Sequence, residues 1–141
     1  MKKIIFLALI ICFAITLSAQ IPKGTYVLCN DIAKGMYIEK IVFNAQKITI
    51  YISGPMGVTM NSDELDYEVQ EMNNKLSLAQ FYFEYDKTND ILIFGETYTN
   101  LLLGNRSSQM SNSAKLIYNK SGKYNPDLIS NNKVRILLIN R

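Results

Sequence analysis

The carboxylates are the side chains best suited to chemistry in this chain, and they fall into two groups. Asp63, Glu64, Asp66 and Glu68 form the densest acidic run. Two carboxyl groups facing one another across strands are the equipment of glycoside cleavage, one as acid and one as base or nucleophile. The spacing argues for something plainer. Glu64, Asp66 and Glu68 alternate with Leu65, Tyr67 and Val69, which is the pattern of a half-buried strand with a solvated acidic face. Asp86, Thr88, Asn89 and Asp90 offer the oxygen atoms of a calcium loop. They lack the spacing and the closing bidentate glutamate of an EF-hand, so the expectation is a polar hairpin loop.

What is missing narrows the chemistry further. The chain has no histidine, which removes the usual general base, the usual zinc ligand and the Ser-His and Cys-His nucleophile pairs. Gly54-Pro55-Met56-Gly57 falls between two strand patterns rather than before a helix, so it is not a phosphate-cradling loop. Metal-dependent and acyl-transfer catalysis are therefore disfavoured. No cofactor is called for, and the chain is expected not to be an enzyme.

Aromatic rings are the more informative residues. Tyr26, Phe43, Tyr67, Phe83 and Tyr85 recur at inward positions of the strand patterns. Tyrosine buries its ring while its hydroxyl stays wet or meets a polar ligand atom. These five are the candidate lining of a small-molecule site, with a ring-filled core as the alternative. Phe81, Tyr82, Phe83 and Tyr85 put rings on both faces of one strand, and one face then has to meet a ligand, a partner or another sheet.

These residues need a scaffold, and the first segment of the chain is not expected to belong to it. Lys2 and Lys3 precede the uncharged run Ile4 to Leu17, which ends at Ser18-Ala19. Fourteen residues are too few to cross a hydrocarbon core that needs about 20 in helix. Pro22 and Gly24 then stop helical extension. The run has the layout of an export signal, with cleavage expected after Ala19 and the cut after Ser18 as second choice. Cys12 follows Ile10 and Ile11 rather than a small residue, so it reads as part of the apolar run and not as a lipidated cysteine.

The expected mature chain, 20–141, carries thirteen basic and twelve acidic residues, a net of +1. That near-neutral balance gives no reason to expect a nucleic-acid partner, and no transmembrane span is expected once the signal is gone. Its single cysteine, Cys29, permits no internal disulfide, and burial in a strand is the expected fate of that thiol. Residues 20–103 hold six basic and eleven acidic side chains, whereas 104–141 hold seven basic and one acidic. The C-terminal strand is thus expected to fold back on an acidic body, with a basic patch facing anionic lipid or glycan as the alternative.

Along this chain the dominant signal is period two, broken by turns. Strand patterns run over 24–28, 36–43, 48–52, 65–69, 76–85, 91–94, 98–103, 115–118 and 133–139. Turns are expected at Asn73-Asn74 and at 86–90, one helical turn fits 31–37, and 104–114 is a polar loop. Residues 20–141 are therefore expected to form a single all-β domain. Its expected architecture is an antiparallel up-and-down meander of about eight strands, closed into a barrel because closure removes exposed edges. A β-sandwich is the alternative.

Gly24-Thr25-Tyr26, opening the first strand of such a meander, resembles the glycine-x-tryptophan start of lipocalins, with Tyr26 in place of the tryptophan. The chain is similar, over roughly 24–103, to the small lipocalin-like barrels that bacteria export. That resemblance implies a closed barrel holding a small apolar or amphipathic molecule. It also implies an arginine on the last strand packed over the first-strand aromatic, for which Arg135 and Arg141 compete. A second functional class, an extracytoplasmic protein-interaction module such as an inhibitor or immunity protein, would instead use exposed aromatics and the 104–114 loop. Either way the location is extracytoplasmic, periplasmic or secreted.

Overall fold

A computed structural model gives the architecture. It describes residues 21–31, 37–54, 58–76, 81–94 and 115–139. The export signal, the helical turn at 31–37, the strand at 98–103 and the loop at 104–114 fall wholly or largely outside those residues.

The described residues form eight strands: β1 (Gly24–Leu28), β2 (Tyr37–Phe43), β3 (Lys47–Ser53), β4 (Thr59–Glu71), β5 (Phe81–Asp86), β6 (Ile91–Phe94), β7 (Leu116–Asn119) and β8 (Lys133–Ile139). One 3-10 turn, Pro126–Leu128, interrupts the segment before β8; the Asn125 side chain caps it by accepting from the Asp127 N–H. All pairings are antiparallel and the sheet closes into a barrel in the order β1-β2-β3-β4-β8-β5-β6-β7. The all-β class, the strand number and the closure match the expectation from period two.

The order departs from a sequential meander in one place. The turn after β4, where the Asn74 N–H bonds to the Glu71 carbonyl, does not lead back along β4. β4 and β5 run in the same direction on either side of β8, with Tyr67 and Phe81 both opposite Leu138. β8 is apolar inside, with Val134, Ile136 and Leu138 in the core, and on the outside Leu137 is buried as well, beside Lys133 and Arg135. A strand of that kind is stabilised by two neighbours rather than one. The β4–β5 connection is tied to the outside of β8 by Arg135, whose Nη1 donates to the Asn74 carbonyl.

Alternation decides the interior. Directly opposed residues share a face, so the pairs Phe43–Ile48, Ile48–Leu65, Tyr67–Leu138, Val69–Ile136 and Phe83–Ile136 stack the inward side chains into one cluster. β6 breaks the alternation, since all four of its residues are buried. Leu92 and Phe94 belong to the interior, while Ile91 and Ile93 join Ile117 of β7 in a second cluster outside. Cys29 and Ile129 pack against that outer cluster. Cys29 lies just past β1 and is only half-buried, not enclosed in a strand. Burial pushes its thiol above the usual range, although a backbone contact at Asn119 opposes this.

Candidate functional site

All five candidate ring residues belong to the interior cluster. Tyr26, Phe43, Phe83 and Tyr85 are buried, and Tyr67 on β4 is partly exposed. Four of the five rings are in contact with another aromatic ring. Tyr26 meets Phe43 edge to face at 5.6 Å, and Phe43 meets Tyr67 at 5.3 Å. Phe83 lies 4.4 Å from Phe94 and 6.1 Å from Tyr118. Rings at these separations are in contact, so nothing inserts between those pairs.

Two of the hydroxyls meet at a single carboxylate. Tyr26 and Tyr85 both donate to Asp90 Oδ1, Tyr85 at 2.9 Å. Lys120 Nζ stands 2.6 Å from Asp90 Oδ2 and 5.4 Å from the Tyr26 ring centroid. Asp90 ends the β5–β6 turn with φ +57°, a left-handed conformation that aspartate tolerates better than most residues. Tyr118 sends its hydroxyl to the Ile38 carbonyl at 3.1 Å.

These contacts set the electrostatics. Burial, reinforced by the bond to Asp90, raises the Tyr26 phenol far above its ordinary value and pushes Tyr85 up to about 12. Burial alone works against a charged Asp90, but hydrogen bonds from Lys120, Tyr26 and Tyr85 outweigh it and hold the carboxyl below the usual range. A base this weak and acids this weak do not exchange protons near neutral pH. The cluster holds the first strand to the β5–β6 turn.

That arrangement has an alkaline signature. A phenol with a raised value in the folded state stabilises fully below its unfolded value near 10, and the contribution drains away as pH climbs to about 12. The stability of the wild type, read as urea midpoints, is expected to fall as pH climbs from about 10 to about 12. Tyr85→Phe is expected to cost about 1 kcal/mol at neutral pH and to weaken less on the alkaline side. Identical alkaline losses in both proteins would refute the assignment.

The supposed calcium loop resolves into separate functions. Asp86 is fully buried and its oxygens accept from Thr88, Asn89 and Ser130, while Asp90 serves the tyrosines. Among the described residues no group of three acidic, cysteine or histidine side chains converges in a way that could hold a metal ion. The acidic run behaves as the alternation predicts for Glu64, Asp66 and Glu68, which lie on the outer face, with Glu64 paired to Lys47 at 2.7 Å. Arg135 is also on the outside, its guanidinium 5.5 Å from the Tyr82 ring. Among the described residues, the cation over the first-strand aromatic is Lys120, and Arg141 lies outside them. Lys120 and Tyr118 carry no motif that singles them out, and the sequence marks Asp86 and Asp90 only as loop oxygens; Asp90 and Tyr26 stand 64 positions apart.

One part of the interior face is less closed. Leu65, Tyr67 and Val69 of β4, with Phe81 of β5, pack against the core cluster yet stay partly exposed. Tyr67 directs its hydroxyl to the Asn44 carbonyl at 3.5 Å, at the β2–β3 turn. Comparison with protein-family models, curated proteins and solved structures finds no match to this chain.

Proposed function

We propose that this chain is an exported, non-catalytic binding protein, a lipocalin-like barrel that holds a small apolar or amphipathic molecule. The observation carrying this reading is the half-open stripe of Leu65, Tyr67 and Val69, with Phe81 opposite Leu138. Apolar interior surface left in contact with water gains roughly 25 cal/mol for each Å² that an apolar ligand covers. A barrel of about eight strands is of the size that takes one small ligand. Because Tyr26 packs on Phe43, Phe83 packs on Phe94 and Tyr118, and Tyr26 and Tyr85 bond to Asp90, these four buried residues form the floor of the site. Tyr67 is the ring that meets the ligand.

Titration with the neutral fluorophore N-phenyl-1-naphthylamine tests this. Saturable one-to-one enhancement is expected, weakened about tenfold, or ~1.4 kcal/mol, by Tyr67→Ala. A folded wild-type protein that gives no saturable signal would overturn the reading.

A further inference from the structure

We propose that one end of the barrel, beside β1 and β7, docks on a bilayer surface that carries anionic head groups. The antiparallel register gathers five segments at that end: 21–23, the β2–β3 turn, the chain after β4, the β5–β6 turn and 120–132. All are described, the third of them as far as residue 76. They carry Lys23, Lys75, Lys87, Lys120 and Lys123 against two acidic residues, Asp90 and Asp127. Where strands meet these loops the charge balances, Lys47 and Lys133 standing against Glu71 and Asp86. Outside the described residues, 20–141 hold Lys34, Arg106 and Arg141 and one acidic side chain, Glu96. Even with Glu96 placed here, the end would stay positive.

Apolar side chains stand in water beside this charge. Ile21, Val27, Tyr124 and Leu128 are four of the six large hydrophobic residues exposed among those described. Ile21 and Lys23 lead into β1, and the outward Val27 follows on that strand. The 120–123 turn lies against it, since a β-carbon added at Gly122 would sit 3.9 Å from Val27 Cγ1. Side chains brace the loops in this shape. Asn119 Oδ1 accepts from the Ser121 N–H at 2.9 Å and the Gly122 N–H at 2.8 Å. Asn125 caps the turn that ends at Leu128, and Asn89 donates to the Leu128 carbonyl. Leu128 is thus held 53 % exposed at a fixed position, and covering it with an apolar layer is favourable. Tyrosine suits the boundary where its ring is covered and its hydroxyl stays wet. Lysine lays its stem along apolar surface and keeps its ammonium among head groups, worth about fivefold in partition for each lysine near an anionic surface. A soluble polyanion would engage the lysines alone. This docking is independent of the ligand site on β4.

Cosedimentation with vesicles tests this on the chain as recovered after export, its N-terminus fixed by intact mass. Vesicles of phosphatidylcholine alone are compared with vesicles of phosphatidylcholine mixed with phosphatidylglycerol. At low salt, binding to the anionic vesicles is expected to be about tenfold tighter. The gap is expected to shrink when salt shortens the Debye length to about 3 Å. Lys23→Gln/Lys123→Gln is expected to weaken anionic binding about tenfold, and Tyr124→Ser/Leu128→Ser about fivefold. All four positions are exposed, and unchanged urea midpoints show that the variants fold. Equal binding to both vesicle types, or binding to neither, would overturn the proposal. So would a loss in the lysine variant with none in Tyr124→Ser/Leu128→Ser, the pattern of a soluble polyanion.

Discussion

Phe83→Ala is expected to lower folding stability by about 4 kcal/mol, in the range for a buried phenylalanine cut back to alanine. Phe83 is fully buried on β5, opposite Phe94 and Ile136. Its ring contacts Phe94 at a 34° tilt and Tyr118 at 90°. Truncation removes the transfer energy of the ring and leaves a cavity that strands held on both sides cannot collapse to fill. Phe83→Leu, which keeps much of the volume, should cost under about 2 kcal/mol. The pair of urea midpoints checks the claim that the floor of the barrel is packed. If Phe83→Ala cost no more than Phe83→Leu, the floor would be loose, and the ligand site would have to extend beneath the β4 stripe.

The second large effect is expected at Asp86. This buried carboxylate accepts from the Thr88 N–H at 3.0 Å, the Asn89 N–H at 3.3 Å and Asn89 Nδ2 at 3.0 Å. It also accepts from the Ser130 N–H at 2.7 Å and the Ser130 hydroxyl at 2.6 Å. It thereby ties the β5–β6 turn to the segment that leads into β8. Asp86→Asn keeps the shape but turns a donor toward these donors, and is expected to cost about 3 kcal/mol.

The pH dependence of that tie has a definite sign. Burial opposes the charge, but the Ser130 and Asn89 bonds prevail and bring the carboxyl down to about 2. A value depressed in the folded state gives stability that is complete above the unfolded value of 3.8 and is lost as pH falls toward about 2. The difference between wild type and Asp86→Asn should therefore narrow on acidification across that window, measured as urea midpoints. A difference that stayed constant would refute the role given to the ionised carboxylate.

The same residues show what could be anticipated and what could not. Ile48-Thr49-Ile50-Tyr51-Ile52 announces its inward face at once, because side chains alternate with period two in any strand. The five ring residues were legible as interior for that reason. Ile91-Leu92-Ile93-Phe94 shows the limit of the rule. Its unbroken apolar run requires burial on both faces, but nothing local says that Cys29 and Ile129 pack against the outer one. The Asn73-Asn74 turn was legible as well, yet not its destination, since a turn sets local geometry and not which strand comes next.

Sequence alone determined the all-β class, the centres of the described strands though not the full reach of β4 or the start of β5, the absence of histidine chemistry and the inward set of rings, since each follows from residue type and near-neighbour spacing. Tertiary structure decided the rest. It set β8 between β4 and β5, paired Asp86 with Ser130 across 44 positions, and brought Tyr26 to Asp90 across 64. It also left Leu65, Tyr67 and Val69 partly open while closing over Phe43, Phe83 and Tyr85. The physical reason is range. Alternation is fixed by the backbone of one strand, whereas strand order, buried carboxylate partners and an open stretch of interior depend on how the closing sheet brings distant segments together.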